Sequence, residues 1–165
     1  MQPRNIIRNR DVVTDNYTYI TDAAELPASG DIIVDLPLWK EHRASLLNHD
    51  GLVGVQVPGD AEPEDIVEDL SKLAVVAINF PSFRDGRGYS LARILRERFG
   101  YTGELRATGD ILRDQLFFLQ RCGFDAFDTR PDRCIQEALK GLSDFTVTYQ
   151  ADVHEKRPIY QRRPV

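Results

Sequence analysis

The residues best suited to chemistry lie together in Asn79-Phe80-Pro81-Ser82-Phe83-Arg84-Asp85-Gly86-Arg87-Gly88-Tyr89-Ser90. Gly86 and Gly88 free the backbone to turn and to come close to a ligand. Arg84 and Arg87 flank them. The helix predicted to follow opens with unpaired N–H groups and a partial positive charge. Together these features suit a small anion. Arg93, one turn further in, adds a donor fork matched to an oxyanion. The competing reading is a surface turn of solvated arginines, in which Ser90 or Asp85 only caps the helix. Two phosphate cradles are excluded: Gly86-Arg87-Gly88 lacks the third glycine of the dinucleotide fingerprint, and no Gly-Lys-Ser/Thr follows for a P-loop.

A second stretch is Leu105-Arg106-Ala107-Thr108-Gly109-Asp110-Ile111-Leu112-Arg113-Asp114-Gln115. Asp110 stands where a helix N-cap belongs and is also in reach of Arg113. Asp85, Asp110 and Asp114 are the carboxylates on hand for general acid–base work, each with a structural role as the alternative. If the strands before these segments are neighbours, Arg84, Arg87 and Arg106 converge on one rim. No metal site is predicted: His42 and His49 lack a third ligand at metal spacing. Cys122 and Cys134 are too few for an iron–sulfur cluster, and Cys122 reads as a core residue before Gly123. No cofactor is identifiable.

Repeated strand–helix units must position these residues. Strands are predicted at Asp31–Leu36, Leu52–Val57, Ala74–Phe80, Glu104–Thr108 and Phe124–Asp128. Helices are predicted at about Pro37–Asn48, Pro63–Ser71, Tyr89–Phe99, Ile111–Cys122 and Asp132–Leu142. Such alternation implies an α/β fold with a mostly parallel sheet. One strand face reads Val53, Val55, Val57, then Val76, Ile78, Phe80, then Leu105, Ala107; the other carries Gln56, Asn79, Glu104, Arg106 and Thr108. One apolar and one polar face implies helices on a single side, as in an incomplete TIM-barrel-like sheet. An open flavodoxin-like three-layer sheet is the runner-up. In both, ligands collect at the carboxyl ends of the strands.

Residues 1–30 read as a lead-in with a short hairpin about Thr14-Asp15, 31–150 as the α/β domain, and 151–165 as a basic tail. The net charge of −5 disfavours nucleic acid as the partner, because phosphate neutralisation needs a basic face. Residues 81–121 nevertheless carry eight arginines against five acids. No run has signal-peptide or membrane-span character, and the two cysteines show no disulfide pattern, so a cytoplasmic location is expected. Phe117, Phe118 and Leu119 make their helix apolar on more than one side, which fits deep burial or a homodimer face.

The segments from Asn79 to Arg93, Gly103 to Asp110, Leu112 to Leu116 and Cys122 to Phe127 resemble a bacterial family, domain-of-unknown-function family nine-three-four. Its members carry an oxidoreductase label tied to sulfite reduction. The resemblance implies an accessory role in assimilatory sulfite reduction, within sulfate assimilation. It implies a link to sulfite reductase, as a non-catalytic binding partner or beside it. A small oxyanion or a phosphate-bearing ligand would suit Arg84, Gly86, Arg87, Gly88, Arg93 and Arg106. An uncharacterised enzyme using the same aspartates and arginines is the third expectation. No nicotinamide, flavin or cluster signature accompanies the oxidoreductase label, so electrons would be carried by another chain.

Overall fold

The computed structural model describes residues 4–162. Eight strands form one sheet: β1 (Arg4–Arg8), β2 (Asp11–Asp15), β3 (Thr18–Ile20), β4 (Ile32–Asp35), β5 (Val53–Pro58), β6 (Val75–Phe80), β7 (Glu104–Gly109) and β8 (Ala126–Phe127). Four α-helices, α1 (Leu36–Leu46), α2 (Arg87–Glu97), α3 (Arg113–Arg121) and α4 (Ile135–Lys140), accompany them. The strand order is β2-β1-β8-β7-β6-β5-β4-β3. Strands β3 to β8 run parallel in chain order, while β1 pairs antiparallel with both β2 and β8. The sheet is thus mixed, a correction to the mostly parallel expectation. The order also lacks the reversal that marks an open doubly wound sheet.

The sheet curls like half a barrel. Four strand spacings separate β3 from β7, roughly 19 Å in a flat sheet. Yet Nη1 of Arg106 on β7 donates to the Tyr19 hydroxyl on β3 at 3.1 Å. The two faces follow the alternation read from the sequence. Val53, Val55, Val57, Val76, Ile78, Phe80, Leu105 and Ala107 join the main core with Leu38 and Trp39 of α1, Leu91 and Leu95 of α2, and Leu116 and Leu119 of α3. The opposite face holds a small second cluster, Ile33, Val75 and Ala77 under Tyr17 and Tyr19.

Residues 4–20 are part of the sheet rather than a lead-in. Their hairpin turns at Asn9 and Arg10, both at positive φ (49° and 69°), as a two-residue turn matched to strand twist requires. The expected turn at Thr14-Asp15 is instead the end of β2, and β3 departs to the far edge of the sheet. The helix expected at Pro63–Ser71 is two short 3-10 turns, Pro63–Asp65 and Val67–Asp69. Glu64/Glu68 and Asp65/Asp69 would be like charges one helical turn apart, which disfavours the α-helix. The described part of the tail lies along the helices: Arg121 bonds Asp152 at 2.9 Å and Lys156 bonds Glu97 at 2.6 Å. Residues 1–3 and 163–165, the ends of the expected lead-in and tail, lie outside the described residues. No helix among the described residues is long and apolar enough to cross a membrane.

Candidate functional site

Arg106 does not join Arg84 and Arg87 at one rim. Arg106 sits in the middle of β7, opposite Ala77 on β6, rather than at the rim. It is 0% exposed. Its Nη1 bonds Asp15 at 2.8 Å and its Nε bonds Glu104 at 2.6 Å, and its guanidinium lies over the Tyr17 ring. Two carboxylates against one guanidinium leave no positive charge for a ligand. Its role is to tie β7 to β2 and β3 across the concave face. Burial is the main force that raises the Tyr19 hydroxyl above its ordinary value, opposed by Arg106.

The loop before α2 is likewise self-neutralised. Arg87 bonds Asp85 through Nε at 2.9 Å and Nη2 at 2.7 Å, and Asp60 through Nη1 at 2.6 Å. Asp85 also accepts the Arg87 backbone N–H, so a carboxylate of the chain itself occupies the start of the helix. The side-chain bond from Arg87, then that N–H, hold the Asp85 carboxyl down at about 2. Gly86 is the N-cap. Gly88 serves packing: a Cβ there would stand 2.7 Å from the Phe80 ring, so α2 sits on β6 only because the residue is glycine. Arg84 is exposed beside this loop, and Arg93 bonds Glu97 one turn along α2 at 2.9 Å.

The cavity that combines arginines with an unsatisfied acid lies at the carboxyl end of β8. It measures about 220 Å³ and is lined by Arg4, Asn5, Asp128, Thr129, Arg130, Pro131, Arg133 and Ile135. Because β1 runs antiparallel to β8, the start of β1 lies beside the end of β8 and brings Arg4 there. The strand face that carries Arg106 also carries Asp128, which is 2% exposed. Its Oδ2 accepts from Arg4 Nη2 at 2.6 Å. Its Oδ1, like Nη2 of Arg106, is buried without a hydrogen-bond partner among the described residues. Burial outweighs Arg4 and Arg106 and pushes the Asp128 carboxyl up to about 6.

Two of the acids read from the sequence, Asp110 and Asp114, stand near this cavity in other roles. The N-cap of α3 is Leu112, not Asp110. Asp110 instead bridges loops: its Oδ2 accepts the Phe83 N–H at 2.9 Å and its Oδ1 pairs with Arg130 at 3.2 Å. Gln115 accepts the Leu112 N–H and completes the start of α3. Asp114 lines an adjoining cavity of about 550 Å³ that shares Thr129 and Arg133 with the first. Arg130 also bonds Asp132 at 2.8 Å, while Arg133 has only a loose 3.8 Å approach to that residue. Among the described residues no group of three or more His, Cys, Asp or Glu could hold a metal ion.

Sequence reading missed Arg4, Asp128, Arg130 and Arg133. Asp128 closes the last predicted strand, and Arg130-Pro131-Asp132-Arg133 follows at its carboxyl end, so the rule applied to the third and fourth strands points there too. Arg4 had no such signal, because its place depends on a pairing with β8 across most of the chain.

A family model described as bacterial protein of unknown function (DUF934) matches residues 54–160. No curated protein matches the chain.

Proposed function

The chain belongs to this bacterial family of unknown function, and we propose that it is an accessory protein of assimilatory sulfite reduction that holds a small oxyanion at the carboxyl end of β8. The observation that carries the anion chemistry is the cavity itself, about 220 Å³ lined by the loosely held Arg133 together with the ion-paired Arg4 and Arg130. That is below the roughly 300 Å³ where pockets for drug-sized ligands begin, and it suits an ion such as sulfite or phosphate. Guanidinium forks match such oxygens geometrically. The pathway is supported by the resemblance to a family whose members carry a sulfite-reduction label.

Thermal denaturation with sulfite or inorganic phosphate tests the reading. A ligand of the folded state at about 100 times its Kd adds about 2.7 kcal/mol. The expected result is a rise in Tm that Arg130→Ala removes. No rise with either anion would end the proposal.

A second reading, a non-catalytic partner of sulfite reductase, is favoured by exposed aromatic surface at Phe118 (53%), Phe145 (65%) and Tyr149 (74%). Co-purification with the reductase that Phe145→Asp abolishes would support it, and the same surface would serve a homodimer. The enzyme reading rests on Asp128, whose raised carboxyl suits proton transfer, rather than on Asp85.

A further inference from the structure

The three arginines explain why an anion enters the β8 cavity, but they do not explain why a buried carboxylate stands among them. Asp128 lines the cavity, and its Oδ1 has no hydrogen-bond partner among the described residues. A carboxylate oxygen can only accept, and a buried acceptor left unmatched costs free energy. No donor among the described residues reaches it, although Arg106 Nη2 is likewise buried and unpartnered. From β1, Arg4 is committed to Oδ2 at 2.6 Å. From β7, Arg106 Nη1 is shared between Asp15 and Tyr19, and its Nε belongs to Glu104. From β2, Asp15 adds a further negative charge, and from β3 the Tyr19 hydroxyl accepts from Arg106 while its own O–H makes no bond to Asp128 Oδ1. In the loop beyond β8, Arg130 is held by Asp110 and Asp132. A ligand that reaches Asp128 must therefore bring its own hydrogen.

We propose that Asp128 makes this cavity selective for oxyanions that carry a proton, such as bisulfite and the hydrogen phosphates, over oxyanions that carry none, such as sulfate. The inference rests on the anion-site reading above. The protonated oxygen of the anion donates to Asp128 Oδ1, and the remaining oxygens take N–H groups from Arg133, which has only a 3.8 Å approach to Asp132, and those that Arg4 and Arg130 leave outside their own ion pairs. Sulfate has the same size and shape but no O–H. It would set an acceptor and a negative charge against the Asp128 carboxylate, which is how a site rejects a near-isostere. The arginines then supply affinity and the aspartate supplies choice.

The choice depends on the carboxylate being ionised. Burial holds the Asp128 carboxyl up at about 6. Below that value Asp128 carries a proton and becomes a donor itself, so the exclusion of sulfate relaxes while the arginines stay charged.

Calorimetric titration of the full chain at low ionic strength tests this, with inorganic phosphate and sulfate as the probes. At pH 7.5 phosphate is expected to bind at least about tenfold more tightly than sulfate. In Asp128→Asn, whose amide can donate, the two affinities are expected to approach each other through a gain for sulfate. On the wild-type protein alone, lowering the pH to 5 should narrow the gap in the same direction, so the test survives a variant that folds poorly. Equal affinities at pH 7.5, or a preference unchanged in Asp128→Asn, would overturn the proposal while leaving an anion site. Binding of neither anion, or binding that Arg130→Ala leaves intact, would overturn the site reading and the proposal with it.

Discussion

The two arginine-rich rims, one before α2 and one after β8, are built from the same residue types and differ in what they leave unpaired. Before α2, Arg87 meets Asp85 and Asp60 within a loop of a few residues and one neighbouring turn. Those acids are exposed or near the surface and gain from the pairing, as the low Asp85 carboxyl records. After β8, Arg4, Arg130 and Arg133 surround Asp128, which burial makes reluctant to ionise. The first rim is a local ion-pair cluster that satisfies itself. The second repeats that pairing at Arg130, with Asp132 and Asp110, but it also draws Arg4 from the far end of the chain, holds Arg133 only loosely and keeps an Asp128 oxygen unmatched, and so has something left to offer a ligand. Proximity in sequence favours self-neutralisation, whereas a site needs groups that the fold holds apart from their natural partners.

Removing Arg106 should produce the largest effect and shows what the concave face tolerates. Arg106→Ala leaves Asp15 buried without its partner, and loss of one member of a buried pair costs about 3–5 kcal/mol. Urea denaturation measures it. A loss under 1 kcal/mol would mean that the β7 to β3 tie is incidental.

Next is the stability of Asp128→Asn. The folded carboxyl titrates at about 6, above its ordinary 3.8, so between those values the folded state binds more protons than the unfolded one. Stability therefore falls as pH rises through that window, and the full cost is present above it. Asparagine carries no such charge, so at pH 8 the variant should be more stable than wild type by about 1–3 kcal/mol. The advantage should vanish below about pH 4. Asp85→Asn should show the opposite sign, losing stability at neutral pH, with the wild-type benefit itself fading as pH falls from 3.8 toward 2. Parallel pH profiles for the two variants would erase the contrast between the rims.

The comparison is sharpened further by phosphate affinity in Arg130→Ala and Arg87→Ala. Titration should show at least about a tenfold loss in the first, because a charge-assisted bond is removed, and no change in the second. The reverse order would move the site to the loop before α2. The smallest effect expected is the shift in Tm of Arg87→Ala, whose pairs are exposed and screened.

Much of the architecture was legible because burial follows strand alternation. Val53, Val55 and Val57 on one side and Gln56 on the other already imply a sheet covered by helices on one face. The ends of α2 and α3 fit the glycines that follow them, Gly100 and Gly123. The stretch 63–69 was misread because its apolar spacing is helical while its acids repel at that spacing. The site was less legible. A local reading finds glycines and arginines that are close in sequence, and those are the ones that pair with each other. Asp128 has an ordinary identity at a strand end, and only its depth and the arrival of Arg4 from β1 set it apart.

That arrival also sets a clock. β1 contains residues 4–8, and its partner β8 contains residues 126–127. On a ribosome adding 5–20 residues per second, the first hairpin waits on the order of ten seconds for the strand it must join. Until then the edge of β1 that will meet β8 is open to any other strand, which is the window in which misassociation is most dangerous. The cavity cannot exist before the hairpin docks, so an anion that binds there would favour the finished chain over every partly made one, and its concentration in the cell would bear on yield.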